Sequence, residues 1–489
     1  MAFILLVNLY ISRVVLKALG VEDFGIYNVV GGLVTMFGFL NSSMTSATQR
    51  YLTFELGKDD KNRLSSVFST SIQIHLLIAV IVVILSETIG LYFLYNKLQI
   101  PATRLSAAFW VLHCSTIILA IKTIIVPYNA TVIAHEKMNV YAVLSIIEVF
   151  LNLGVVLLLN YFNADKLKIY AVLLIAVQVV IIAGYFFYCR LNFEETKYNK
   201  AFNKPLFKEM CSFASWSLFG NSAAMLMSQG QNILLNMFFG PIVNAARGIA
   251  AQVSSAVKQF AFSFQTAINP QITKTYASND LSRMHLLMFS SAKFSSFLLL
   301  AIILPVIVEA PYILSLWLET IPDNTVVFVR IVLCTALIGP MANPLMIGIQ
   351  ATGKIKIYQG VVGGLLLLIL PVSYMFLKLD FPAYSVFVVE LLFELIAQIA
   401  RLFIGRNKLG LSVLEYMQKV VLKIFLVGIS TFIPLLLIHY QMNYGFLRIA
   451  IVSIGSVVFI SISAYFVGLS KDEKDFVRIK IDNILKSKS

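Results

Sequence analysis

The chain has 489 residues, a formal net charge of +14, 59% hydrophobic residues and only 13% charged ones, and its mean hydropathy is +0.85. No water-soluble domain of this length needs so much apolar surface, so the class is an all-α polytopic membrane protein. The basic residues are scattered over loops rather than gathered on a domain, which excludes a nucleic-acid reading of the charge.

Apolar runs long enough to cross a roughly 30 Å hydrocarbon layer predict about fourteen transmembrane helices. They lie near 1–18, 26–50, 68–95, 105–133, 139–161, 167–189, 211–238, 243–270, 286–316, 324–350, 357–378, 383–404, 420–440 and 446–468. The first begins at Met1. No small-residue cleavage site precedes Gly20, and Arg13 and Lys17 stand at the wrong end for a signal peptide. This is the pattern expected of a start trimmed from a slightly longer chain.

The second run carries Thr35, Ser42, Ser46, Gln49 and Arg50. Its Gly31, Gly32, Gly38 and serines suit close helix packing as well as cavity lining. Arg50, at the end of the run, can snorkel. The fourth run holds His113, read as a satisfied membrane histidine, and Lys122, too far from either end to snorkel easily. Lys122 either pairs with Glu148 or Glu87 or lines a cavity. Pro127 and Pro344 are expected to break corresponding helices. Residues 190–210 read as a solvated connector, with room for a short amphipathic helix.

The seventh run is polar at its middle, with Asn221, Ser222, Ser228, Gln229, Gln231 and Asn232. A Gly240-Pro241 turn then opens the eighth. There Arg247, Ala251, Ser254, Lys258 and Gln265 recur at the spacing of one helix face, and Asn269 extends it. Two cations on one face of a membrane-length helix are expensive unless that face lines water or meets an anion. Further on come Lys293, Glu309 and Arg330. Glu87 and Glu309 read as structural caps at equivalent positions. Glu390 and Glu394, one turn apart, suit proton or sodium carriage, or pairing with a neighbouring helix, which is the preferred reading.

The chain also repeats. Sliding by 220 residues places Gly240 on Gly20, Gln265 on Thr45, Asn269 on Gln49 and Asp280 on Asp60. Downstream, Glu87 matches Glu309, Pro101 matches Pro322, and Pro127, Ala134, Lys137 and Tyr141 match Pro344, Ala351, Lys354 and Tyr358. Ordered matches of this kind predict a duplicated half. The expected organisation is an N-terminal six-helix bundle over 1–189, a cytoplasmic linker over 190–210, a repeat bundle over 211–405, two added helices over 406–469 and a cytoplasmic tail over 470–489. Lys58, Lys61, Arg63, Lys137, Arg190, Lys274, Arg283, Lys354 and Arg406 fall in alternate loops, which places both termini in the cytoplasm. An even number of helices per half gives both the same orientation and predicts alternating access around a central cavity.

No catalytic constellation is present, so the chain does not read as an enzyme. Cys114, Cys189, Cys211 and Cys334 are isolated, and no Walker A, HExxH or GxSxG sequence occurs. Neither a cofactor nor a metal is expected. What remains is transport. Arg247, Lys258 and Arg13 would make a cationic cavity suited to a phosphate or pyrophosphate head group. Gln49, Arg50, Ser254, Gln265, Gln229 and Lys122 complete the candidate substrate-binding set.

The stretches "LGVEDFGIYNVVGGLVTMFGFLNSSMTSATQRYLTFELGK" and "NAARGIAAQVSSAVKQFAFSFQTAINPQITKTYASND" resemble polysaccharide-biosynthesis flippases of the O-antigen and lipopolysaccharide type. These belong to the multidrug/oligosaccharidyl-lipid/polysaccharide exporter superfamily. The resemblance implies two six-helix bundles and an undecaprenyl-pyrophosphate-linked oligosaccharide moved across the bacterial inner membrane. It implies glycosyltransferases and a polysaccharide polymerase as partners, with membrane lipids around the chain. In related peptidoglycan-precursor flippases, arginines of helices one, two and eight line the cavity. Arg13 and Arg247 fall suitably, whereas the second helix here lacks a central arginine. The alternative is a multidrug exporter of the same fold coupled to H+ or Na+, for which acidic rather than basic cavity residues are expected.

Overall fold

The computed structural model describes residues 2–96, 98, 100–161, 164–197, 203–318, 321–470 and 473–475; the side chains of 2–6, 8–10, 12–13, 16, 21–22, 39, 160 and 241 lie outside that description. In chain order the helices are α1 (Ala2–Met36), α2 (Gly38–Lys58), α3 (Lys61–Leu85), α4 (Leu91–Asn96), α5 (Leu105–Ile124), α6 (Val126–Ala134), α7 (Met138–Leu158), α8 (Lys166–Asn192) and α9 (Lys204–Ala277). They continue as α10 (Leu281–Val308), α11 (Ala310–Trp317), α12 (Thr325–Ala336), α13 (Ile338–Ala351), α14 (Lys356–Lys378), α15 (Ser385–Leu409), α16 (Val413–Tyr416), α17 (Leu422–Gln441) and α18 (Phe446–Ser463). No strand occurs among the described residues. The protein is an all-α polytopic membrane protein.

Each expected membrane run falls on these helices. Among the described residues, nine helices are long and apolar enough to cross a membrane, or ten if the bent pair over 23–36 and 40–58 counts as one. The remaining expected runs are 1–18, whose side chains are largely outside the described set, and 211–238, 243–270 and 383–404. Polar residues dilute the middle pair, and Glu390, Glu394 and Arg401 interrupt the last.

Two backbone breaks organise the chain. Gly20 in α1 has φ 82° and ψ 168°; Gly240 in α9 has φ 77° and ψ −169°. This region of backbone space is open essentially to glycine alone. At Gly240 the break reverses the chain. Arg247 and Ser228, nineteen residues apart, are in hydrogen-bond contact, whereas a straight helix would separate them by about 28 Å. The turns that end α2 and α9 are also alike. Asp59 and Asn279 take positive φ, at 57° and 60°. Asp60 and Asp280 then accept from the amides of Arg63 and Arg283, each at 3.0 Å, and cap the next helix. Pro127 stands just past a break at Ile125. Pro344, expected to break its helix, lies inside α13, and the break falls at Leu337.

The chain divides into two compact units, Met1–Ser222 with Thr273–Asn279 and Ala223–Ile272 with Asp280–Ser489. In the first, α5 packs on α1, α3 and α8, and α7 packs on α8. Its core includes Val15, Val132, Val156, Leu159 and Val111, all at most 1% exposed. Gly57 of α2 permits close approach, since a Cβ there would lie 2.7 Å from the Lys274 backbone. In the second unit, α14 and α13 pack on α15, and α10 packs on α13, α17 and α18. Leu235, Leu299, Ile303, Phe328 and Leu333 are its fully buried centre. Glu309 ties α17 and α18 to that centre. It is 1% exposed and bonds His439 Nδ1 and Arg448 Nη2, each at 2.7 Å. It is thus an internal ion-pair anchor as well as the cap of α10.

Candidate functional site

A polar group of the second unit forms where α9 folds back at Gly240. Arg247 Nη2 donates to the Ser228 carbonyl and, at 3.2 Å, to Ser228 Oγ. Arg247 Nε is buried without a hydrogen-bond partner. Across from this pair, Gln231 Nε2 donates to Glu390 Oε2 of α15 at 3.1 Å. Arg247 and Lys258 both act electrostatically on Glu390. The named charges are two cations and one carboxylate, so the group keeps a positive excess. Lys258 is exposed and Arg247 half-buried. Arg247 therefore meets one carbonyl and one hydroxyl and retains donor capacity from its fork.

The predicted polar face does not meet one environment. Arg247, Ala251 and Lys258 are open or half-open, whereas Ser254, Gln265 and Asn269 are buried. Gln265 donates to the Pro340 carbonyl at 2.8 Å and accepts from Asn343 Nδ2 at 3.0 Å. Asn269 accepts from the same amide at 3.5 Å. Ser254 Oγ is buried without a partner. Eighteen residues of helix span about 27 Å, so one face passes successive neighbours. Here its far end is closed by α13. Gln229, on α9, is exposed.

The candidates of the first unit are dispersed. The Arg13 side chain lies outside the described residues. Gln49 is half-buried. Arg50 is 8% exposed and stacks over Tyr51, Phe54 and Phe213, at 4.4, 4.6 and 5.9 Å from their ring centroids. Tyr51 in turn donates to Glu209 Oε1 at 3.0 Å. Arg50 is therefore held in an aromatic box rather than reaching out to the surface. Lys122 lies 3.9 Å from Glu148, whose carboxylate also accepts from Gln178 at 2.9 Å. His113 pairs with Glu87 at 2.9 Å.

The preferred sequence reading of Glu390, pairing with a neighbouring helix, is met by Gln231 of α9; its link to Arg247 and the role of Arg401 were passed over. Glu390 completes the Arg247 group, although its register with Gln231 spans 159 residues. Arg401 holds Glu394 through two bonds of 3.2 Å, which leaves Glu390 as the acid of that turn facing the cations. The spacing of Glu394 and Arg401, seven residues on one helix, was the available signal. No group of metal-ligating side chains occurs among the described residues.

No family model matches this chain, and no curated protein matches it. Solved structures do. MATE in the straight conformation is similar with a TM-score of 0.73 at 14% identity, over 83% of this chain and 92% of that chain. The outward-facing conformation of a multidrug resistance MATE family transporter gives 0.69 at 14% identity, over 83% and 91%. A MOP superfamily transporter from Pyrococcus furiosus, described as having a binding pocket of reverse polarity that suggests a different function, gives 0.70 at 14% identity, over 83% and 92%. At such identity the likeness is one of fold. The chain has the fold of the MATE transporters of the MOP superfamily.

Proposed function

We propose that this protein is a membrane transporter and that its substrate is an anionic amphiphile, a pyrophosphate-linked lipid oligosaccharide moved by alternating access across a bacterial inner membrane. The observation that carries this reading is the positive excess at the fold-back of α9. Arg247 there is half-buried and spends only Nη2 on Ser228, and Lys258 stands open, against the single carboxylate of Glu390. A guanidinium with spare donors suits the planar, multi-oxygen face of a phosphate. In this reading 1–189 and 211–405 are duplicated halves, with both termini cytoplasmic. The matched glycine breaks and aspartate caps support the duplication.

A second reading is a proton- or sodium-coupled multidrug exporter. The fold likeness to MATE structures, a multidrug resistance transporter among them, favours it. Glu390 would then be the coupling carboxylate.

Reconstitution separates the two. Liposomes holding the protein and a lipid-linked oligosaccharide are probed with an impermeant sugar-reactive reagent, beside liposomes loaded with an organic cation under an imposed proton or sodium gradient. Faster sugar exposure that is lost in Arg247→Ala supports the first reading. Gradient-driven cation movement without sugar exposure replaces it with the second.

A further inference from the structure

A groove of ≈ 310 Å³ lies between α7 and α8, lined by Asn139, Val140, Val143, Leu144, Gly184 and Tyr188. These two helices pack directly on one another. The groove exists because Gly184 has no side chain; a Cβ there would come 3.0 Å from Leu144. It opens outward, since Val143 is 54% exposed and Ile147 and Phe187 on the same two helices are 39% and 62% exposed. On a membrane-spanning pair such a surface faces hydrocarbon, and an apolar groove there is filled by a chain, not by water.

One end of the groove is cationic. Lys137 caps the start of α7 two residues before Asn139, and Arg190 lies in the last turn of α8 two residues after Tyr188. Each is therefore within about 3 Å of the groove's rim along its helix axis. Two carboxylates of this region are engaged elsewhere, Glu136 with Lys274 at 2.7 Å and Glu195 with His135; the third, Glu194, is exposed. Lys137 and Arg190 are both exposed. Neither forms an ion pair with a carboxylate among the described residues, and Arg190 spends one donor on the Thr196 carbonyl at 3.2 Å.

We propose that this groove is a site for an anionic phospholipid. One acyl chain lies along Val140, Val143, Leu144 and Gly184, and the phosphate sits at the Lys137–Arg190 end. The apolar walls supply the tail's contacts, and the two exposed cations, outnumbering the exposed carboxylate of Glu194, select the head group. Tyr188 stands at the boundary, where an aromatic ring with a hydroxyl is favoured. The proposal is independent of what the protein transports.

The test is a titration of the purified full chain in detergent with phosphatidylglycerol and with phosphatidylcholine of the same acyl chains, bound lipid being counted by native mass spectrometry. Wild type should bind phosphatidylglycerol more tightly. The double variant K137Q/R190Q should weaken it about 30-fold, at about tenfold per 1.4 kcal/mol and roughly 1 kcal/mol for each cation, and leave phosphatidylcholine unchanged. Val143→Trp fills the groove from its lipid face without disturbing a buried contact and should remove one bound lipid of either kind. Equal affinity for the two lipids in wild type overturns the head-group assignment. Unchanged retention in both Val143→Trp and Gly184→Leu overturns the site.

Discussion

Arg50 of α2 and Arg247 of α9 both sit in long apolar runs, and their surroundings are opposite. Arg50 is closed in by the faces of Tyr51, Phe54 and Phe213. Ring quadrupoles meet its charge directly, and a desolvated cation–π contact of this kind is worth about 2 kcal/mol or more. Arg247 is only half-buried, and it has the carbonyl and hydroxyl of Ser228 and one carboxylate nearby that it shares with Lys258. The first arginine is part of how the unit is packed. The second has binding capacity left over. A cation's neighbours, rather than its presence in a membrane helix, separate the two roles.

The largest expected effect breaks or keeps that contrast outright. Arg247→Ala should lower the initial rate of lipid-linked sugar exposure by about 100-fold, as loss of a charge-assisted bond to an anion worth up to about 3 kcal/mol implies. Its unfolding midpoint in denaturing detergent should stay close to wild type. Arg50→Ala should do the reverse, costing about 2 kcal/mol of stability while transport per folded molecule is retained. If Arg50→Ala abolished transport in a folded protein, the aromatic box would have to be counted as part of the site.

A smaller change sharpens the functional side. Glu390→Gln keeps an acceptor for Gln231 and removes the only named negative charge facing Arg247 and Lys258. Anion transport should hold or rise by roughly two- to tenfold, since the repulsion removed is modest at an effective protein dielectric of about 20. If instead the exporter reading holds, gradient-driven export of an organic cation should vanish in this variant. Measured side by side in one proteoliposome preparation, retained anion transport assigns the substrate to the cations, and a lost cation export assigns the coupling to Glu390.

Much of this architecture is legible in the sequence because local rules decide it. The Gly240-Pro241 turn, the Asp60 and Asp280 caps and the long apolar runs each follow from residues within a few positions. The site is less legible because counter-ions and boxes are assembled from afar. Phe213 stands 163 residues from Arg50, and Glu473 stands 180 from Lys293. A helical stripe shows that Arg247, Ser254 and Gln265 share a face; it does not show that α13 buries one end of it. Pro344 misled for a related reason. A proline inside a membrane helix is tolerated where its neighbours satisfy the freed carbonyl, so the break settled at Leu337 instead.

Lys293 extends the contrast to a third cation, one neutralised by a true carboxylate. It is 5% exposed on α10, and its Nζ lies 2.6 Å from Glu473 Oε2. Glu473 also accepts from Ser290 Oγ at 3.0 Å and from the Ser470 amide at 2.8 Å. The Ser470–Glu473 spacing is that of a capping box, here turned back onto the bundle. Burial opposes ionisation of Glu473, but the Lys293 and Ser470 hydrogen bonds outweigh it and hold the carboxyl below its ordinary range. Because the folded value is the lower one, the contact's contribution is complete above the unfolded value of about 4.3 and is lost as pH falls through the folded value. Glu473→Gln should therefore cost about 1 kcal/mol at pH 7, an amount limited by water reaching Lys293 once the segment lifts. The difference between variant and wild type should shrink as the pH is lowered below 4. A difference that stayed constant across that range would mean that Glu473 acts through its packing, and that Lys293 belongs with Arg50 among the cations held by their surroundings rather than by this carboxylate.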